Sequence, residues 1–241
     1  MYTAVTDVYR RFCGMLYVRV LSMNSWHIPG RYDFSIPEAQ RLSDLSGIES
    51  DLAAVVRICA HCEKLTKDLP PPTQDDGMAW LADNQARGDL MFAAVIRYGR
   101  TFASGVRAGI PSEWLATLPS DLQEGHVYFK TLRDKYIAHS VSQLEDNQVF
   151  VMLTPQFAEI QEPTHITVDR GNLITLSLPE LRRLTSLAVA LGKVVAVEVE
   201  SETSKLLAIA RGMPLDSIKS RTTASVSIPG KAQTFKVRKK F

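Results

Sequence analysis

Arg133 and His139 stand six residues apart near the end of a predicted helix, in the run Leu132-Arg133-Asp134-Lys135-Tyr136-Ile137-Ala138-His139-Ser140. An arginine and a histidine suffice for phosphodiester chemistry on RNA. The imidazole can take the 2′-hydroxyl proton or protonate the leaving oxygen. The guanidinium can hold the phosphate and stabilise charge that grows in the transition state. No metal and no cofactor is needed, because the RNA supplies its own nucleophile. At about 100° per residue, His126, Lys130, Arg133 and Ile137 share one helix face. His139 falls about 120° round an ideal helix from Arg133. The pair must therefore converge across a helix end or a two-fold axis. His126 reads either as a solvent-facing or satisfied histidine or as a second phosphate or proton group, and Lys130 either as a solvated side chain or as a substrate contact. Arg97, Arg100 and Arg107 are candidate cations on or after the preceding helix. The structural alternative is that Arg133 pairs with a carboxylate while His139 caps the helix C-terminus, where a cation suits the dipole.

Arg133-Asp134, four further residues and His139-Ser140, late in a helix of a helical bundle, resemble the signature of the HEPN superfamily. The run Phe129 to Ser140, and Tyr98-Gly99-Arg100-Thr101-Phe102 upstream, resemble abortive-infection-type bacterial HEPN-like proteins in particular, over residues 36 to 142. The resemblance implies a homodimeric bundle of four or five helices. It also implies a metal-independent endoribonuclease of bacterial defence or toxin–antitoxin type, leaving a cyclic phosphate, with RNA and an antitoxin or other protein as partners. Arg133 would hold the phosphate and His139 would be the acid/base, both catalytic. Asp134 departs from the pattern, since active members often carry Asn there. It stands with Lys130, His126 and Arg100 as a substrate-binding candidate. The alternative is an inactive HEPN-like binding or regulatory module.

The elements that must position these residues are mainly helical. Ser35-Ile36-Pro37-Glu38 reads as a helix start, with Ser35 as cap and Pro37 in the first turn. Leu45, Ile48, Leu52, Val55, Cys59 and Cys62 then follow at spacings of three and four, the seam of a packed helix ending before Pro70-Pro71-Pro72. A second helix is expected from about Met78 to Ser104, interrupted near Gly88, with Leu90, Met91, Ala94, Val95, Tyr98 and Phe102 on one face. Ser112 to Leu118 reads as a short helix. Ser120-Asp121-Leu122-Gln123 reads as a capping box opening the helix that carries Arg133. The period then changes. Gln148 to Leu153 reads as a strand, and His165 to Val168 and Leu173 to Leu176 flank Asp169-Arg170-Gly171-Asn172, which reads as a hairpin turn. Ser177-Leu178-Pro179-Glu180 repeats the start signal and opens a long helix to about Arg211, with Gly212 and Pro214 beyond. The expected fold is thus an antiparallel helical bundle with a small antiparallel β-hairpin or sheet before the last long helix. Residues 1 to 34 form an N-terminal segment in which Val5 to Val20 fits helix or strand. Residues 35 to 214 form the HEPN-like domain, with its β insertion at about 147 to 177, and 215 to 241 form a basic tail.

Bulk properties narrow the function classes. The 241 residues are 45% hydrophobic and 22% charged with a net charge of +2, so the chain as a whole is no electrostatic nucleic-acid binder. Seven basic residues of the tail face one acid, Asp216, and the rest is acidic on balance. Three cysteines without framework spacing argue against a secreted disulfide scaffold. No stretch approaches the ~20 apolar residues of a membrane span, and the N-terminus does not read as a signal peptide. A cytoplasmic protein with no membrane association is expected. Cys59-Ala60-His61-Cys62 offers two soft ligands, but a zinc site needs two more. Both cysteines lie on the helix seam, where small apolar residues belong, so no metal site is expected.

Overall fold

The seam read from the first long helix is the core of the structure. In the computed structural model, which describes residues 32–68, 77–103, 105–137, 145–154, 162–172 and 175–221, α1 runs Gln40–Asp68. Leu45, Ile48, Leu52, Val55, Cys59 and Cys62 are all buried along it. The remaining helices are α2 (Gly77–Arg100), α3 (Ser112–Ala116), α4 (Ser120–Leu132), α5 (Leu178–Gly212) and α6 (Leu215–Lys219). A two-stranded antiparallel sheet, β1 (Glu145–Leu153) and β2 (Pro163–Asn172), precedes α5. The protein is mainly helical, as the apolar spacing demands. The expected break at Gly88 does not occur; α2 runs through it unbroken. Most of the N-terminal segment, most of the basic tail and His139 lie outside the described residues.

The chain divides into two compact units. One comprises residues 1–49, 104–108 and 195–241. In it Arg41 pairs with Glu198 at 2.7 Å and Glu202 at 3.3 Å, tying the start of α1 to the second half of α5. Buried Asp44 accepts from the Gln40 side chain at 2.7 Å and the Ala108 amide at 3.1 Å. The other unit comprises residues 50–103 and 109–194 and holds the candidate site. Its core joins Leu52, Val55 and Cys59 of α1, Met91, Val95 and Tyr98 of α2, Phe129 and Leu132 of α4, and Leu181, Leu184 and Leu187 of α5, all buried. Cys59 and Cys62 pack in this apolar seam. Burial pushes the Cys59 thiol up to about 12, so its sulfur is held protonated.

Of three similar helix starts, one caps as its sequence suggests. Ser177 donates its amide and hydroxyl to Glu180 Oε2 at 2.7 and 2.5 Å, while the Glu180 amide reaches Ser177 Oγ at 3.4 Å. This is a closed capping box at the head of α5. Ser35 does not cap. Its amide and hydroxyl both turn back to Asp33 Oδ1, and a 3₁₀ turn, Pro37–Ala39, enters α1 behind Ile36. Ser120 does not cap either, because Pro119 occupies the cap position and Gln123 donates to the Leu118 carbonyl at 2.8 Å.

The expected hairpin turn at 169–172 is also corrected. Asp169, Arg170, Gly171 and Asn172 are the far end of β2, paired with Gln148, Asn147, Asp146 and Glu145. The ribbon reverses between Leu153 and Pro163 instead, where the Thr154 amide donates to the Glu162 carbonyl at 3.0 Å. The polar tetrapeptide resembles a turn only while its partner strand is thought to begin at Gln148. β1 begins three residues earlier, and those residues are polar too. Of the strand expected at Leu173 to Leu176, Thr175 and Leu176 form the irregular approach to α5, both bonding to the Met91 sulfur. Leu173 and Ile174 lie outside the described residues.

The capping difference has a direct test. Ser177→Ala removes a made bond and is expected to cost about 1 kcal/mol. Ser120→Ala removes none and should fall within about 0.5 kcal/mol of wild type. Urea unfolding followed by circular dichroism separates the two.

Candidate functional site

α4 is placed by a single buried polar group. Tyr98 is fully buried on α2, and a phenol in that position needs a hydrogen-bond partner. His126 of α4 supplies it, with Tyr98 Oη and His126 Nδ1 2.7 Å apart. Phe102 closes over the imidazole at a ring separation of 4.5 Å, and Phe129, one turn along α4, meets the Tyr98 ring edge-on at 6.4 Å. Burial raises the Tyr98 phenol well above its usual range, so it keeps its proton. When that phenol donates, the imidazole carries its own proton on Nε2, the nitrogen turned away from Tyr98.

With His126 fixed, helix geometry sets the rest of the face. Lys130 lies one turn on and Arg133 one more. At Arg133 the helix changes form: α4 gives way to a π-helical turn, Arg133–Ile137. Such turns insert a residue into the helix and recur at functional positions. The aliphatic stem of Arg133 lies on Gly99 of α2. A Cβ at Gly99 would stand 3.0 Å from Arg133 Cγ and 3.1 Å from Cδ. A side chain at this position would make the stem give way by a few tenths of an ångström. Tyr98 and its neighbour Gly99 therefore receive His126 and Arg133 respectively, and α2 holds both ends of the face.

The charges on this face are joined by Asp134. Its Oδ1 accepts from Arg133 Nη1 at 2.6 Å and its Oδ2 from Lys130 Nζ at 2.8 Å. All three side chains are partly exposed. The Arg133 bond, then the Lys130 bond, hold the Asp134 carboxyl below its usual range. The His126 imidazole is pushed down as well, by burial first and by the Lys130 charge second. This environment presents a neutral imidazole beside two cations that share one carboxylate.

The sequence-expected residues fall into three sets. Lys130, Arg133 and Asp134 are joined by hydrogen bonds, and His126 stands one turn before Lys130 with its imidazole bonded to Tyr98. Arg100 is engaged elsewhere: with Arg97 it faces buried Asp51, at 3.7 and 3.1 Å. His139 lies outside the described residues. Sequence reasoning placed Tyr98 in the core and Tyr98-Gly99 in the run that carries the resemblance, but missed the hydrogen bond that Tyr98 makes and the role of Gly99. The signal available was adjacency, since Tyr98-Gly99 stands directly before Arg100 on a face otherwise made of hydrocarbon. Among the described residues no group of three or more His, Cys, Asp or Glu side chains could hold a metal ion. No helix there is long and apolar enough to cross a membrane.

Comparison of the chain with family models, with curated proteins and with solved structures finds no match.

Two measurements test this geometry. His126 is expected to titrate below the ordinary histidine value of about 6.5, and Lys130→Met should move it upward. Its folded pKa is depressed, so its contribution to stability is complete above about pH 6.5 and is lost as pH falls toward the folded value. Histidine C–H resonances followed against pH report both. Gly99→Ala should leave stability within about 1 kcal/mol, since alanine favours the helix, yet displace Arg133. The Arg133 Nε–H resonance should shift while the Tyr98–His126 pair is unmoved.

Proposed function

We propose that the chain is a HEPN-like, metal-independent endoribonuclease of a bacterial defence or toxin–antitoxin system. It acts as a homodimer in which Arg133 and His139 of each subunit serve a shared cleft. The RNA 2′-hydroxyl oxygen attacks the adjacent phosphorus and the 5′-oxygen departs, leaving a cyclic phosphate. His139 handles the proton, and Arg133 holds the phosphate oxygens. The observation that supports this reading is the closure of Arg133 and Lys130 on a single anion. Asp134 presents two oxygens, one to each cation. A phosphodiester presents two non-bridging oxygens of the same charge type, and arginine in particular suits that geometry. RNA phosphate would take the place of the carboxylate.

The same contact favours a second reading. A site whose cations are already paired with the chain's own carboxylate is half neutralised, which suits a non-catalytic HEPN-like binding or regulatory module.

RNA cleavage in EDTA separates the two. The ribonuclease reading expects single-stranded RNA to be cut by wild type. His139→Ala and Arg133→Ala should each lose on the order of a hundredfold or more, and Asp134→Asn should cut faster. RNA retained without turnover by wild type and Asp134→Asn alike establishes the binding module. Cutting that survives His139→Ala removes this site from consideration.

A further inference from the structure

The Tyr98 phenol does more than place α4. It decides which nitrogen of His126 carries a proton. Among the described residues the hydrogen bond of Tyr98 Oη is the one to His126 Nδ1, at 2.7 Å, and the whole tyrosine is shut away from water. Were Nδ1 the donor, the phenol hydrogen would be stranded in the core, which is the costly arrangement. The phenol therefore donates and Nδ1 accepts. A neutral imidazole with Nδ1 taken as acceptor holds its proton on Nε2. An imidazolium is disfavoured for the same reason, since both of its nitrogens donate. His126 is accordingly a donor at Nε2, with no lone pair there to act as a general base.

This donor is open to a ligand. His126 is half-buried, and its Nε2 has no hydrogen-bond partner among the described residues. The one buried side-chain nitrogen or oxygen there without a partner is Arg87 Nε, so His126 Nε2 reaches solvent. Lys130 stands about 6 Å further along the helix axis and Arg133 about 10 Å. A phosphate seated at Arg133 and Lys130 lies toward the far end of that span. Whatever meets Nε2–H must accept a hydrogen bond. The Lys130 charge, near enough to act on the imidazole, favours an anionic acceptor over a neutral carbonyl. In an RNA strand the anionic acceptor at that end is the next phosphate.

We propose that His126 Nε2–H is a second phosphate contact, a neutral hydrogen-bond donor to the phosphate next to the one that Arg133 and Lys130 hold, with Tyr98 as the positioning residue that fixes its tautomer. This role rests on the reading of Arg133 and Lys130 as a phosphate site. His126 transfers no proton in it; that step stays with His139. A neutral donor recognises a second phosphate without a further charge beside Lys130, and so selects a strand over a lone phosphate ion.

The full chain with isotope-labelled histidine tests the assignment, with a trinucleotide of 2′-O-methyl RNA as probe. The probe carries two phosphates and cannot be cleaved, because its attacking oxygen is blocked. In the free protein His126 Nδ1 should give the resonance of an unprotonated ring nitrogen and Nε2 that of a protonated one. The probe should shift Nε2 and the Arg133 Nε–H together and leave the tautomer unchanged. The same trinucleotide with uncharged methylphosphonate linkages should shift neither. Tyr98→Phe/His126→Leu replaces both partners by hydrocarbon and orphans no polar group. It should keep its helical content and bind the charged probe on the order of tenfold more weakly. A protonated Nδ1 in the free protein overturns the proposal, and so does a folded double variant that binds like wild type. Should that variant lose its helical content, the wild-type resonances decide alone. An Nε2 that stays still while Arg133 Nε–H shifts overturns the role of His126 and leaves the phosphate site standing. A shift with the uncharged trinucleotide also overturns it, and assigns Nε2 to a base or sugar. A charged probe that moves neither resonance overturns this role and the phosphate site together.

Discussion

The Tyr98 hydroxyl must be satisfied inside the core, and the candidate site follows from how that is done. A buried phenol without a partner costs on the order of 1–3 kcal/mol. The partner chosen is a side chain on α4 rather than a backbone carbonyl of α2. The bond therefore fixes the rotation of α4 about its own axis. Once His126 faces α2, the 3.6-residue period leaves Lys130 and Arg133 no choice of direction. Phe129, fully buried on the same helix, supports that rotation from the apolar side. A hydrogen bond within the core thus determines which charges reach the surface.

Within that frame, Asp134 sets the electrostatic character of the site. Its bonds to Arg133 and Lys130 are exposed enough for water and salt to weaken them. They orient the two cations more than they stabilise the fold. An isoelectronic amide in place of the carboxylate would keep the shape and leave the cations unneutralised. The difference between an anion-binding surface and a self-paired one accordingly rests on one side chain. The lowered carboxyl of Asp134 and the lowered imidazole of His126 point the same way: near neutrality the aspartate is charged and this histidine is not.

Legibility in the sequence followed the physics of each element. The α1 seam could be read because burial of six side chains on one stripe leaves a strict spacing of three and four. The capping box at Ser177 could be read because its bonds are local. Identical reasoning failed at Ser35 and Ser120, where competing local partners, Asp33 and Pro119, decide the outcome. The end of β2 was misread because a polar strand end and a turn share their residue types, and only the partner strand distinguishes them. At the site, the shared face of His126, Lys130 and Arg133 came from helical period alone. Its anchors on α2 did not, because the pairing of Tyr98 with His126 spans 28 residues and leaves no periodic trace. The π-helical turn was equally hidden, and the 120° separation of Arg133 and His139 assumed an α-helical path that Arg133–Ile137 does not follow.

The ribbon sharpens the same lesson from the other side. Five consecutive apolar residues, Val149 to Leu153, form a pattern found in strands buried on both faces. Alternation would have been the pattern of a strand with one wet face. Yet all five are exposed. Sequence pattern and observed exposure disagree here and nowhere else of comparable length among the described residues. In α1 the stripe from Leu45 to Cys62 is buried. Among the described residues such a strand does not realise its hydrophobic term. The same five residues that raise β-propensity would also raise the risk of open-ended pairing.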